Sequence, residues 1–359
     1  MRKPKTKVAV VYNEPEPEMY IRTDEEEVKQ PEFKTYFEVD KTTPMEEFEY
    51  IAKKLQNVGF EAYTLNIKDD LNRMLNNIKK EKPDVIFNFV ELYHDNSRLE
   101  MNVAGVYELL DIPYTGAPAL ALANCQNKIF AKRLLRSGGI RIPPFFIVTK
   151  KSTRYTHRLK YPLLVKPAYE DASVGIENES IVNNGKELRN RIEHVLTHFE
   201  QPALIEEFIE GRELNVAVMG DKRLKVLPIS EIDFTAMPDH LHNIVSYQAK
   251  WDPHHESYHK TIPKCPAPLP KKIEQKAKEI AFKAFKVMGC RDYARVDIRL
   301  AKDNKLYVLE VNPNPDITEG AGFMRSAEYS GMTYAKALKR IVRYALGRSA
   351  TKKPAKVSA

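Results

Sequence analysis

Cysteine, tryptophan and glycine are scarce in this chain of 359 residues, which contains three cysteines, one tryptophan and 14 glycines. The cysteines, Cys125, Cys265 and Cys290, are widely separated and odd in number. Their spacing predicts neither a disulfide framework nor a paired-cysteine metal site, and nothing around them supports a nucleophilic cysteine. Few and unpaired cysteines are typical of proteins that work in the reducing cytoplasm.

Long hydrophobic runs are also missing. No apolar stretch approaches the roughly 20 residues that a membrane-spanning helix needs. The basic first residues are followed by an apolar run that is too short for a signal peptide. The sequence therefore predicts no membrane span and a cytoplasmic location.

Acidic residues are absent from residues 335–359, although the chain as a whole carries a net charge of +8. This segment contains eight cations, namely Lys336, Lys339, Arg340, Arg343, Arg348, Lys352, Lys353 and Lys356, so the rest of the chain is balanced. A basic tail can touch nucleic acid or an anionic membrane, but no recognition motif accompanies this one. We expect no specific nucleic-acid partner and a disordered basic tail over 347–359.

The first part of the chain alternates strand and helix patterns, which is typical of a parallel sheet. The helix in TTPMEEFEYIAKKLQNVGF is predicted to have a capped start at Thr43, Pro44 and Glu46 and to stop at Gly59. Residues 14–42 carry dense acids without clear periodicity, so we expect them to form a loop or lid.

Oxygen ligands for a metal ion lie near the C-terminal end. In VLEVN, strand alternation places Glu310 and Asn312 on one face and Leu309 and Val311 on the other. Asp297, in the preceding strand, adds a second carboxylate. One or two carboxylates together with the phosphates of a nucleotide satisfy Mg²⁺, so the sequence predicts a magnesium site against phosphate.

The preceding strand, YARVDIRL, places Arg295 and Asp297 on one side and Val296 and Ile298 on the other. A cation beside a metal ligand indicates stabilisation of an oxyanion. The alternative is a β-hairpin that carries solvated charges on one face, with its turn at Lys302–Lys305.

Two upstream segments carry further polar groups. Lys166 ends an apolar strand and precedes a loop with Ser173, whose backbone could cradle phosphate with far fewer glycines than a Walker motif. A second apolar strand ends at Glu206, and another strand follows Glu213. These two acids suit an adenine amino group and ribose hydroxyls, and the alternative is a hairpin with exposed acids.

The order of these segments resembles the ATP-grasp superfamily, specifically its D-alanine–D-alanine ligase branch. The family's entry to the ATP-binding region resembles the segment LLDIPYTGAPALALANCQNKIFAK, in which Lys128 would be the first lysine that contacts the nucleotide. The family's C-terminal helix is similar to SAEYSGMTYAKALKRIVRYAL. The resemblance implies an α/β chain with the ATP-grasp fold. Its expected parts are an N-terminal parallel-sheet domain (1–122) and two α+β lobes (123–209 and 210–346) that enclose ATP.

The resemblance also implies a reaction, in which ATP phosphorylates a substrate carboxylate and an amine attacks the acyl phosphate to give an amide, ADP and phosphate. Two Mg²⁺ ions would bridge the β- and γ-phosphates, with Mn²⁺ as an alternative ion. Carried over residue by residue, the resemblance implies that the nucleotide phosphates contact Lys128, Lys166 and Ser173. Adenine would be bound by Glu206 and the backbone of Glu207, Phe208 and Ile209, and the ribose by Glu213. Lys250 would contact the transferring phosphate, Arg295 would stabilise the tetrahedral intermediate, and the metal would be bound by Asp297, Glu310 and Asn312.

The departures from the family pattern fall on the amino-acid side of the site. Glu91 replaces a histidine and could bind an ammonium group directly, and Glu18 stands where an amine-binding glutamate is expected. Three further positions differ: Ala172 for a serine, Trp251 for a loop tyrosine, and Ala321 for a serine that holds a carboxylate. Backbone amides after Gly320 could replace that last serine if a helix begins there.

A segment rich in His, Tyr and Pro, Asp233–Pro263, is expected to cover the site and exclude water. Its histidines, among them His240, His242, His254 and His255, lack a cysteine partner, so they do not predict zinc. The sequence thus predicts an ADP-forming ligase for small amino acids or peptides, with D-alanine–D-alanine ligase as the nearest activity.

The alternatives are a ligase for other amino acids or a peptide, a carboxylate kinase without the amine step, and a nucleotide-binding regulatory protein without turnover. A regulatory protein without turnover is disfavoured, because the chain retains Lys128, Lys166 and Arg295 together with the predicted metal ligands Asp297, Glu310 and Asn312. A homodimer is expected from the resemblance alone.

Overall fold

The computed structural model describes residues 4–16 and 43–349. Glu18 and nearly all of the acidic loop predicted over 14–42 lie outside these residues, as does the tail from residue 350 onward. Within the described part of the chain, no helix is long and apolar enough to cross a membrane.

The described part of the chain forms 13 strands and 11 α-helices. The strands are β1 (Lys7–Tyr12), β2 (Glu61–Asn66), β3 (Val85–Phe89), β4 (Phe145–Val148), β5 (Leu163–Pro167), β6 (Ile181–Val182), β7 (Ala203–Glu207), β8 (Gly211–Gly220), β9 (Leu224–Val226), β10 (Ser230–Asp233), β11 (Ile262–Lys264), β12 (Asp292–Ala301) and β13 (Leu306–Asn312). The helices are α1 (Pro44–Asn57), α2 (Leu71–Glu81), α3 (Glu100–Leu109), α4 (Ala119–Gln126), α5 (Lys128–Ser137), α6 (Gly185–His198), α7 (Tyr247–Trp251), α8 (Glu256–Lys260), α9 (Lys271–Met288), α10 (Gly322–Tyr329) and α11 (Tyr334–Ser349).

The N-terminal sheet is parallel, as predicted, with the order β2-β1-β3. Both faces of β1 are covered, because Val8 and Val10 pack with α1 and α11 while Ala9 and Val11 pack with α2 and α3. The predicted capped start of α1 is confirmed, since the Thr43 side chain and the Glu46 carboxylate bond each other's backbone N–H groups.

Two antiparallel sheets follow. One has four strands in the order β4-β7-β5-β6, and the other has six, in the order β11-β10-β8-β12-β13 with β9 paired to β8. Because β7 and β8 belong to different sheets, the alternative of a hairpin that carries Glu206 and Glu213 is wrong. The domain boundaries at 122, 209 and 346 stay predictions, and α11 runs on to Ser349.

The β12–β13 hairpin departs from strict strand alternation. Its register shifts just after Asp297, which lies opposite Glu310. As a result, Val308 and Val311 both pack in the core of the larger sheet, whereas Leu309 is half-buried and outside that core. The prediction that Leu309 and Val311 share one face is therefore wrong, because an extra residue in β13 resets the alternation.

A buried ion pair ties the last helix to the rest of the molecule. The Asp292 carboxylate, with 0% of its side chain exposed, accepts hydrogen bonds from Arg348 Nη2 at 3.0 Å and from the Gly116 backbone N–H at 3.0 Å. Arg348 Nη2 also donates to the Tyr114 carbonyl at 2.8 Å. One guanidinium therefore connects α11, β12 and the segment before α4.

Replacement of this guanidinium should destabilise the fold. We expect Arg348→Ala to lower the free energy of unfolding by about 3 kcal/mol, because it leaves the buried Asp292 carboxylate without its cation. Urea unfolding followed by circular dichroism measures the change. Arg343→Ala, at an exposed position of the same helix, is the matched control and should cost less than about 0.5 kcal/mol. Equal losses in the two variants would contradict the role given to the ion pair.

Candidate active site

Several of the predicted nucleotide-binding residues line one pocket between the two antiparallel sheets. Lys128 begins α5, Lys166 lies on β5, Glu310 lies on β13, and Ser173 follows β5, and all four contribute to the pocket wall. The Lys128 ammonium lies 3.9 Å from the Glu310 carboxylate. Residues far apart in sequence thus place cations and a carboxylate around a common space.

The start of α5 is fixed by local hydrogen bonds. The Asn127 side chain caps the helix by accepting from the backbone N–H groups of Ile129 and Phe130, both at 3.1 Å. The backbone N–H of Lys128 donates to the Ala168 carbonyl, just beyond β5, at 3.1 Å. These bonds hold Lys128 beside the strand that carries Lys166.

Glu206 lies between two lysines at the end of β7. Its side chain is 2% exposed, Lys166 Nζ lies 2.9 Å from Oε2, and Lys132 Nζ forms an ion pair with Oε1. Burial would raise the pKa of Glu206, but Lys132 and Lys166 lower it below its usual range. Lys132 was missed by the sequence reasoning, and its position one helical turn after Lys128 was the signal that could have indicated it.

Asp297 is held by side chains from three neighbouring strands. Arg295 donates to both carboxylate oxygens at 2.8 Å, Asn215 donates to Oδ1 at 2.8 Å, and Asn312 donates to Oδ2 at 2.9 Å. Arg295 and Asp297 therefore share one side of β12, as predicted. Burial would lower the pKa of the Arg295 guanidinium, but Asp297 and Glu310 raise it.

Glu310 lies at the centre of a positive field. Partial loss of hydration in the cleft would raise the pKa of Glu310, but Lys128, Lys166, Arg295 and Lys250 together lower it to about 2. The carboxylate is therefore ionised at neutral pH, which is the state that a metal ligand requires.

Glu213, on β8, pairs with a cation that sequence reasoning also missed. Arg299 Nη2 lies 2.8 Å from its carboxylate, and Arg299 Nη1 donates to the carbonyls of Gly211 and Asn243. Burial raises the pKa of Glu213 although Arg299 opposes the shift. The centre of the Phe208 ring lies 5.7 Å from the same guanidinium. Arg299 therefore contacts both Phe208, predicted to bind adenine, and Glu213, predicted to bind ribose.

Glu207 and Phe208, at the end of β7, are both bonded to the stretch that precedes β5. The Glu207 carboxylate accepts from the Lys160 backbone N–H at 3.0 Å, and the Phe208 backbone N–H donates to the Pro162 carbonyl at 3.0 Å. Ile209 is half-buried. The Glu207 side chain is thus bonded to the stretch before β5.

The predicted lid segment contacts the loop that follows β5. Trp251 Nε1 donates to the Ala172 carbonyl at 2.9 Å, and Ser173 Oγ donates to the Val245 carbonyl at 2.9 Å. Lys250 lies 5.1 Å from the centre of the Trp251 ring. The two departures from the family pattern, Ala172 and Trp251, therefore meet in one hydrogen bond that uses a backbone carbonyl in place of a side chain.

Carboxylates surround Glu91 on the other side of the cleft. Loss of hydration within the cleft, with the negative charges of Asp316 and Asp171, raises the pKa of Glu91 to about 7, although Lys250 opposes the shift and the side chain still reaches solvent. Further along the chain, α10 begins at Gly322, directly after Ala321, and no side chain caps its first turn. A helix start therefore exists where the sequence analysis required one.

Comparisons with known proteins agree with this arrangement. A family model described as D-ala D-ala ligase C-terminus matches residues 134–343. A D-alanine–D-alanine ligase from Aquifex aeolicus is 31% identical over 293 residues, which make up 81% of this chain and 92% of that protein. An uncharacterized protein, y4sG, from Sinorhizobium fredii is 30% identical over 259 residues, 72% of this chain and 73% of that one.

A solved structure matches almost the whole chain. The crystal structure of D-alanine–D-alanine ligase from Bacillus anthracis complexed with ATP has a TM-score of 0.68 at 23% sequence identity and covers 97% of this chain and 100% of that one. This likeness confirms the predicted ATP-grasp fold. Together with the matched family model and the Aquifex aeolicus relative, it shows that the chain belongs to the D-alanine–D-alanine ligase family of ATP-grasp proteins.

Proposed function

We propose that the protein is an ATP-dependent carboxylate–amine ligase that forms an amide or peptide bond between amino acids through an acyl phosphate. The observation that carries the proposal is the convergence of Lys128, Lys166 and Glu310 on one pocket. Phosphoryl transfer depends on positioning and charge neutralisation rather than on a covalent enzyme intermediate, and these residues supply both.

The nucleotide would bind with its phosphates at Lys128 and Lys166 and its adenine near Glu206. The ionised Glu206 carboxylate, at the end of β7 beside Lys132 and Lys166, supports this orientation, because each of its oxygens can accept a second hydrogen bond. An amino group on the base would occupy one of these acceptor positions. Glu213, on β8, would accept from the ribose hydroxyls.

The donor set suits magnesium. Asp297 and Glu310 supply carboxylates and Asn312 an amide oxygen, and Mg²⁺ in proteins commonly takes one or two carboxylates together with phosphates and water. Among residues 4–16 and 43–349, no three His, Cys, Asp or Glu side chains converge as a metal cluster, so the proposed site depends on nucleotide oxygens. When bound, Mg²⁺ would neutralise charge between the β- and γ-phosphates. Mn²⁺ has the same ligand preference.

In the proposed reaction, a substrate carboxylate oxygen attacks the γ-phosphorus and ADP leaves, and then an amine attacks the acyl carbon and phosphate leaves. Lys250 would contact the transferring phosphoryl group, and Arg295 would stabilise the negative oxygen of the tetrahedral intermediate. The bond between Trp251 and Ala172 would hold the lid segment over the pocket and exclude water from the acyl phosphate.

The amino-acid side of the cleft supports a second candidate, a ligase for amino acids other than D-alanine or for a peptide. Glu91, Asp171 and Asp316 place negative charge near the position where an ammonium group would bind. At the opposite end, the amides that begin α10 at Gly322 would receive a substrate carboxylate in place of a serine at Ala321. Glu18 and the homodimer stay predictions.

Turnover assays test the proposed reaction. ADP release from Mg-ATP would be measured with D- and L-amino acids, singly and in pairs, and the products identified by mass spectrometry. D-alanyl-D-alanine would establish the family activity, and another dipeptide would establish the second candidate. Absence of ADP release with every amino acid and short peptide, despite ATP binding, would contradict the ligase.

The metal-ligand role of Glu310 predicts a selective loss. Glu310→Gln should lower Mg²⁺-dependent turnover by about 100-fold, because an amide is a weaker ligand than a carboxylate. Its side chain is 38% exposed, so solvent screening should keep the loss of unfolding free energy below about 1 kcal/mol. Initial rates against Mg²⁺ concentration and urea unfolding give the two values. Glu279→Gln, at an exposed position of α9 outside the pocket, is the control and should leave the rates unchanged.

The raised pKa of Glu91 predicts a pH dependence. A carboxylate binds an ammonium group only when ionised, so kcat/KM for the amino acid should rise as pH increases through about 7. Glu91→Gln should remove this rise and increase KM for the amino acid about tenfold. KM for ATP over the same pH range is the internal control. Persistence of the rise in Glu91→Gln would remove Glu91 from the amine site.

A further inference from the structure

Lys132 is a nearly fully buried lysine whose ammonium contacts two strands of the nucleotide site. Its side chain is 2% exposed, it pairs with Glu206 at the end of β7, and its Nζ lies 3.3 Å from the Leu309 carbonyl on β13. Leu309 immediately precedes Glu310. One ammonium on α5 therefore touches both the strand of the proposed adenine acid and the strand of the proposed metal ligand.

The charges around Lys132 do not cancel. Lys132 and Lys166 share the single carboxylate of Glu206, and the exposed fractions of the three side chains are 2%, 7% and 2%. A buried group of two cations and one anion carries a net positive charge, and the nearby Glu310 carboxylate, which Lys128 also contacts, attracts both lysines. Burial accordingly lowers the pKa of Lys132, although Glu206 opposes the shift.

A neutral pair of Lys166 and Glu206 would be the simpler buried arrangement. In that arrangement Glu206 would cancel the charge of Lys166, and the lysine would attract phosphate only weakly. With Lys132 present, the negative charge of Glu206 is neutralised by Lys132, which contacts the carboxylate oxygen that Lys166 does not. Lys166 then keeps a positive charge that Glu206 does not cancel, on the wall of the pocket that it shares with Lys128 and Glu310.

We infer that Lys132 is a positioning residue for ATP, which holds the Glu206 carboxylate toward the adenine amino group and leaves the charge of Lys166 available to the phosphates. This inference rests on the proposed function, because it requires that the pocket bind ATP. Lys132 itself touches neither the phosphates nor the reacting atoms. Its bond to the Leu309 carbonyl fixes the distance between the adenine end and the metal end of the site.

The test compares two nucleotides in Lys132→Met, a straight-chain substitution without charge. Inosine triphosphate carries an oxygen where adenine carries its amino group. Its Kd therefore measures the contribution of the phosphate contacts, and the ratio of its Kd to that of ATP measures the contribution of the contact between Glu206 and the amino group. We expect Lys132→Met to raise the Kd of inosine triphosphate about tenfold and to bring the ratio close to one. Titration calorimetry measures both constants in the absence of turnover.

Stability separates this role from a structural one. Lys132→Met leaves the neutral Lys166–Glu206 pair, so its melting temperature should stay within about 3 °C of the wild type. Arg348→Met, which breaks the buried pair with Asp292, is the matched control and should lower the melting temperature while the Kd of ATP stays unchanged. KM for the amino acids should be unaltered in Lys132→Met.

A second variant tests the charge argument directly. Lys132→Met/Glu206→Gln has the same net charge around Lys166 as the wild type, so the Kd of inosine triphosphate should return to the wild-type value while preference for ATP stays lost. Weaker binding than in Lys132→Met alone would overturn the inference, as would a wild-type Kd ratio in Lys132→Met. Failure of the wild-type protein to bind ATP would instead overturn the proposed function.

Discussion

The constraint on which the site depends is the burial of charged side chains where the two antiparallel sheets meet, each in contact with a group of opposite charge. Lys132, Lys166 and Glu206 form one group, Arg295 and Asp297 a second, and Arg299 and Glu213 a third. A buried charge without a partner destabilises a fold by several kcal/mol. The three acidic residues proposed for the nucleotide site, Glu206, Asp297 and Glu213, are therefore each held in place by a cation before any ligand binds.

The two halves of the cleft differ in how closely they follow the family pattern. On the nucleotide side, Lys128, Lys166 and Glu310 line one pocket, and the Asn312 amide donates to Asp297. On the amino-acid side, Glu91 and Asp316 place carboxylates together, and the pKa of Glu91 rises as a result. The chemistry of ATP is thus supported more strongly than the identity of the amine.

The lid illustrates how one departure can compensate another. Loss of a serine hydroxyl at Ala172 leaves a backbone carbonyl as the only acceptor at that position, and the indole N–H of Trp251 reaches it at 2.9 Å. Taken singly, each change indicates a lost contact. The pair preserves a connection between the lid segment and the loop after β5, and only their positions in space reveal it.

Strand periodicity, capping residues and the order of motifs determined the parallel N-terminal sheet, the capped start of α1, the shared face of Arg295 and Asp297, and the family. These features depend on local backbone preferences and on side chains close in sequence. Tertiary structure alone decided the pairing of Lys132 with Glu206 and of Arg299 with Glu213, the separation of β7 and β8 into different sheets, and the register shift beside Asp297. Burial creates the need for these partners, and burial is a property of the folded chain, not of any local pattern.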